Sequence, residues 1–159
     1  MSDSFPERPP QNPRKGAFAI VASHYNAVYV GSMVEHAKSE LAAIYPNASV
    51  EVYEVPGAFE IPVVVQEVAA GNNVDAVIAL GVIIQGATMH AELIGESVTE
   101  ALQQIALKHR TPVIHEVLLL KDEAQARQRC MDEKMNRGTE AARSAARISE
   151  VVRDLKARH

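Results

Sequence analysis

The stretch AFAIVA, Ala17 to Ala22, is apolar at every position, and so on both faces of any strand it forms. A strand with one face in water alternates apolar with polar residues; one that is apolar on both faces suits a central position with helices above and below. Toward the C-terminus, Asn26 offers an N-cap. Val30, Met33, Val34, Ala37, Leu41 and Ile44 then keep one helical face apolar until Tyr45-Pro46-Asn47 stops it. Ser49 to Val55 reads as a second strand and Pro56-Gly57 as a turn. A short helix follows from Phe59 to Ala69, with Pro62 tolerable only in its first turn. A third strand is expected from Asp75 to Gly81. Ile94, Val98, Ala101, Leu102 and Ile105 mark a helix of about four turns that ends near His109-Arg110. Val113 to Leu120 is a fourth strand. A short helix from Asp122 to about Met131 precedes a longer one that starts near Asn136 to Gly138 and carries Ala141, Ala145, Ile148, Val152 and Leu155 on one face.

Strict alternation of strand and helix implies right-handed crossovers. The expected fold is therefore α/β: a three-layer α/β/α sandwich around a four-stranded parallel sheet, flavodoxin-like. On the N-terminal side of AFAIVA, residues 1–15 carry Pro6, Pro9, Pro10 and Pro13 among polar residues and read as an extended or disordered arm. Residues 16–159 read as one domain, because 159 residues with 47% hydrophobic composition leave no room for a second.

The net charge of -4 provides no basic field for a nucleic acid. Apolar runs such as Val77 to Leu80 are far shorter than the ~20 residues a bilayer requires, so no membrane is expected. Cys130 is the single cysteine and the chain does not start like a secretory signal; a reducing cytoplasm is the expected location. His24, His36, His90, His109, His115 and His159 show no HxxxH pairing, so no metal is expected.

Ligands of open parallel sheets gather beyond the carboxyl ends of the strands. Four segments stand there: Ser23 to Asn26, Pro56 to Glu60, Gly81 to His90, and the stretch after Leu120. In the third, GVIIQGATMH, Gly86 allows close backbone approach and Thr88 places a hydroxyl near a helix start. That suits a phosphate, or an ordinary strand-to-helix turn. His90, two residues on, is a candidate acid/base or a helix-start histidine bonded to backbone. Arg129 suits a phosphate dianion or a surface carboxylate such as Glu133. Tyr25 is a stacking platform or a packing residue.

Together VASHYN (Val21 to Asn26), VPGAFEIP (Val55 to Pro62), GVIIQGATMH (Gly81 to His90), and QRC followed by NRGTEAA (Gln128 to Cys130, Asn136 to Ala142) resemble the lumazine synthase family from about Ala17 to the C-terminus. The resemblance implies a transferase that condenses 5-amino-6-(D-ribitylamino)uracil with 3,4-dihydroxy-2-butanone 4-phosphate to a lumazine in riboflavin biosynthesis, with no cofactor. It also implies roles for single positions. Tyr25 stacks on the pyrimidine; Ala58, Phe59 and Glu60 bind the ribityl chain and ring edge. The backbone of Val82, Ile83 and Ile84 reads the pyrimidine's polar edge, Ala87 and Thr88 hold the ketose phosphate, and His90 donates protons. His115 serves the pyrimidine site and Arg129 the phosphate site of a neighbouring subunit, with Arg137 a further substrate-binding cation.

The resemblance further implies a homo-oligomer built from pentamers, with riboflavin synthase as a candidate partner. Gln85 stands where the family commonly has Arg or Lys, Ala91-Glu92-Leu93 replaces a Phe-Asp-Tyr type run, His115 stands where Phe is usual, and Arg137 replaces a Lys. The alternative reading is a non-catalytic flavin or lumazine binder on the same scaffold. The prolines of the arm argue against a strand lent to a neighbour before Gln11 and favour a free or paired pentamer; the eight-position step from Arg129 to Arg137 resembles the short connection of cage-forming family members, which implies a sixty-subunit shell.

Overall fold

Four parallel strands lie in the order β2-β1-β3-β4, with β1 at Ala17–Ser23, β2 at Ser49–Val55, β3 at Ala76–Ile84 and β4 at Val113–Leu120. The computed structural model describes residues 4–159. The helices are α1 (Ala27–Ile44), α2 (Ile61–Ala70) after a 3-10 turn at Ala58–Glu60, α3 (His90–His109), α4 (Glu123–Cys130) and α5 (Arg137–Ala157). The α/β architecture expected from the alternation is the one observed.

AFAIVA divides between two cores, as a doubly covered strand must. Phe18, Ile20 and Ala22 face α1, α4 and α5, meeting Met33, Leu41, Cys130 and Ala142. Ala19 and Val21 face α2 and α3, meeting Ile61, Val65, Val98 and Leu102. Burying each large side chain on these faces contributes about 1.5–3 kcal/mol, offset by the entropy of ordering the chain.

Three expectations need correcting. β3 runs to Ile84 instead of Gly81, because Val82, Ile83 and Ile84 continue in register with Leu118, Leu119 and Leu120. α3 begins at His90 and spans 20 residues, a full turn earlier than its apolar face suggests; its first turn exposes His90 and Leu93 and buries only the small Ala91, which leaves little periodic signal. Asn26 occupies the N-cap position, but its side chain makes no capping bond and turns to the sheet instead. By contrast, Asp122 and Asn136 cap α4 and α5, accepting from Gln125 N and Gly138 N at 2.8 Å each.

Of the arm expected over residues 1–15, residues 1–3 lie outside the described residues. Residues 4–15 carry no helix or strand. Arg8 pairs with Glu40, which also holds Arg143, while Arg14 bridges Asp75 and Glu150, so cations of the arm meet carboxylates on the domain.

Candidate active site

In this strand order the chain leaves β1 toward β2 on one side and later returns to β3 on the other. The crevice between the diverging connections lies beyond the carboxyl ends of β1 and β3. Backbone bonds shape its walls. The N–H groups of His24 and Tyr25 donate to Val55 O at 2.7 Å and Pro56 O at 3.0 Å, stitching the turn after β1 to the turn after β2. Tyr25 lies across that second turn because position 57 is glycine: a Cβ there would come within 2.9 Å of the tyrosine ring. Glu60 closes the 3-10 turn, its Oε2 accepting from Gly57 N at 2.9 Å, and the turn presents Phe59 at 60% exposure.

Tyr25, Ala58, Phe59, Glu60 and His90 line one cavity of about 460 Å³, completed by Gly57, Leu93 and Ile94. His90 enters as the first residue of α3, where its N–H faces Thr88 Oγ1 at 3.4 Å. Ala87 and Thr88 are exposed in the loop before it, and among the described residues nothing lies within 4 Å of a Cβ built on Gly86. Gln85 donates to Glu92 across the base of this loop. Val82 is buried and its carbonyl oxygen accepts from Asn26 Nδ2 at 2.8 Å; Ile83 and Ile84 are half-buried beside it. A larger hollow of about 530 Å³ lies at the far ends of α3 and α5 among Leu107, Ile148, Val152 and Leu155. Size does not decide between the two: the smaller one sits at the strand ends and gathers an imidazole, a carboxylate and two aromatic rings.

Val82, Ile83, Ile84, Ala87 and Thr88 do not line that cavity, and neither do His115, Arg129 and Arg137. His115, on β4, is half-buried against Thr99 of α3, and burial pushes its imidazole below the usual histidine value. Arg129, on α4, is half-buried. Its Nε has no hydrogen-bond partner among the described residues, and Glu133, the alternative partner, lies 3.4 Å from His36 Nε2 instead. Arg137 was expected at substrate, but it is 2% exposed and paired with Glu140, so it offers no surface to a ligand here.

Arg137 belongs to a buried polar group that sequence reasoning missed. Glu116 of β4 is pushed up to about 8, first by burial and then by the neighbouring Glu140 charge, with Arg137 opposing. Cys130 is pushed up to about 12 by burial and by Glu116, which keeps it a thiol. A signal was present, since Glu116 stands beside His115 inside a strand whose other residues, Val113-Ile114 and Val117 to Leu120, are all apolar. Asn26 was missed for a different reason: an asparagine before a helix is the ordinary capping pattern, and its partner Val82 lies 56 positions away.

A de novo designed Rossmann fold protein is similar over 72% of this chain and 92% of that chain at 19% identity, with a TM-score of 0.34. The model of the 6,7-dimethyl-8-ribityllumazine synthase family, which acts in riboflavin biosynthesis, matches residues 15–153. With that match over nearly the whole described domain, the chain belongs to the 6,7-dimethyl-8-ribityllumazine synthase family.

Proposed function

We propose that this chain condenses 5-amino-6-(D-ribitylamino)uracil with 3,4-dihydroxy-2-butanone 4-phosphate to give 6,7-dimethyl-8-ribityllumazine, releasing phosphate and water. The cavity that joins Tyr25, Ala58, Phe59, Glu60 and His90 at the strand ends carries this reading. Two exposed rings suit a planar pyrimidine. Glu60 gives Oε2 to Gly57 N and keeps Oε1 for the ribityl hydroxyls. The backbone of Ile83 and Ile84 remains for the ring's polar edge, the Val82 carbonyl being held by Asn26. Ala87 and Thr88, in the loop that leads into α3, suit the phosphate of the second substrate.

In this reaction the pyrimidine amine attacks the ketone carbon and water leaves as the imine forms. Phosphate departs with its C–O bond electrons, and the ribityl-bearing nitrogen closes the ring with loss of a second water. The exchange needs orientation, proton transfer and an anion partner, which fall to the cavity walls, His90 and Arg129. No net oxidation occurs, so no redox cofactor is required.

A site shared between copies supports the placement of the remaining residues. His115 then serves a neighbour's pyrimidine and Arg129 its phosphate, while Arg137 supports the buried group it forms with Glu116 and Glu140. On this reading the protein is a homo-oligomer of pentamers in the cytoplasm, with riboflavin synthase as candidate partner. Purified, assembled protein should form lumazine, detected by absorbance, from the two substrates; folded assemblies that form none would overturn the proposal.

A further inference from the structure

Both ring nitrogens of His115 are engaged inside its own chain. β4 is an edge strand. The alternation that sends the carbonyls of Pro112 and Leu120 to backbone donors of Val77 and Gln85 turns the N–H of Val117 away from β3, to an edge where no strand of the described residues meets it. That N–H donates to His115 Nδ1 at 3.1 Å. Across the ring, Nε2 lies 2.7 Å from Thr99 Oγ1, and Thr99 Oγ1 donates to Gly95 O at 2.7 Å.

These bonds select one tautomer. A hydroxyl has a single proton, so Thr99, having given it to Gly95, accepts from Nε2. Nδ1 already accepts from Val117, so the ring proton sits on Nε2, and the two constraints agree. An imidazolium would aim a second proton from Nδ1 at the Val117 N–H, where nothing accepts it. Burial acts in the same direction. α3 presents Glu92, Glu96 and Glu100 along the groove it shares with Thr99, Val117 and Leu119. Glu116, next on β4, interacts instead with Arg137 and Glu140 of α5.

We infer that His115 serves the pyrimidine site as a neutral ring with no nitrogen free, recognising a planar heterocycle by stacking, and that Thr99 is the positioning residue that holds it. The inference rests on the functional reading above, but the lock on the ring is a property of the chain itself. With both nitrogens committed, only the faces and carbon edges of the imidazole remain for a ligand. The ring therefore discriminates by shape and flatness, and neither charge nor proton transfer passes through it.

Nitrogen-15 NMR of histidine-labelled assembled protein reads the lock directly. His115 should show the Nε2-protonated tautomer from pH 6 to 8, while Thr99→Val, which keeps shape but loses the hydroxyl, should mix tautomers or let the ring titrate. In the lumazine assay Thr99→Val should raise KM for the pyrimidine about three- to tenfold, with a smaller change in kcat and none in KM for the ketose phosphate. Thr99→Ser should restore it. His115→Phe should retain more pyrimidine binding than His115→Asn, which keeps hydrogen-bonding atoms but has no ring. An Nδ1-protonated or charged His115 at pH 7 would overturn the lock whether or not the protein turns over. A locked ring with unchanged KM in Thr99→Val, or Asn outperforming Phe, would overturn the stacking role. A wild type that forms no product would overturn the functional reading and this role with it, independently of the spectrum.

Discussion

The side-chain amide of Asn26 donates to the carbonyl oxygen of Val82 at 2.8 Å and so ties the end of β1 to the end of β3 across the crevice. Asn26 sits in the left-handed region at φ 61, which asparagine tolerates better than most residues. Asn26→Gly keeps that backbone and loses the donor, at about 1 kcal/mol; Asn26→Asp also sets a carboxylate against a carbonyl, at about 1–3 kcal/mol. The expected order of thermal stability is wild type, Gly, Asp, with KM for the pyrimidine rising in the same order. An Asp variant as stable as wild type would show that only the backbone conformation matters.

A Cβ on Gly138 would collide with the carbonyl oxygen of Met33, where α5 packs against α1. The obstacle is backbone, which cannot swing aside as a side chain can. Gly138→Ala should destabilise the fold by about 3 kcal/mol, the upper part of the overpacking range, and lower the urea midpoint. Gly86→Ala, with open space around its Cβ, serves as the control.

Glu116 predicts stability that declines with rising pH. Its folded value of about 8 exceeds the ordinary 4.5, so between these values the native state holds a proton that the unfolded state has released. That contribution is intact below about 4.5, falls as pH rises toward about 8, and is level above. Glu116→Gln removes the penalty and should stabilise the protein at pH 8 by up to a few kcal/mol, on the order of 1.4 kcal/mol per unit, with little gain at pH 4. Urea midpoints of both proteins at the two pH values test this, and an equal difference at both would reject it.

His90→Ala should fold and assemble but form product roughly 10²–10⁴-fold more slowly, the usual contribution of a positioned acid/base. Added imidazole or other small buffers should recover part of the rate. Turnover equal to wild type would remove His90 from proton transfer.

Arg129→Ala should chiefly impair use of the ketose phosphate, by about 1.5–3 kcal/mol for a charge-assisted hydrogen bond, and leave pyrimidine binding nearly intact. Separate KM values for the two substrates check the assignment. A defect confined to the pyrimidine would refute it.

The fold was legible because its signal is local. AFAIVA is apolar at both parities, and the two sets do enter two cores. Ser49–Val55 and Val113–Leu120 have the bounds that turn residues and apolar runs predict. Pro62 falls in the first turn of α2, where its missing N–H costs nothing. Element ends were less legible. β3 gained Val82 to Ile84 from pairing with β4, and the first turn of α3 buries only Ala91 and shows no apolar stripe to read.

By itself the sequence determined the alternation of strands and helices, the double burial of the central strand and the residue types at the strand ends, since each follows from spacing within a few turns of chain. Only the tertiary structure decided which of those residues meet: Tyr25, Phe59, Glu60 and His90 around one cavity, and His115, Arg129 and Arg137 away from it. The same holds for the amide of Asn26 on Val82, the two engaged nitrogens of His115 and the burial of Glu116 beside Arg137. These depend on strand register and on how closely helices from distant parts of the chain approach, and a hydrogen bond forms or fails over a few tenths of an ångström that no local periodicity encodes.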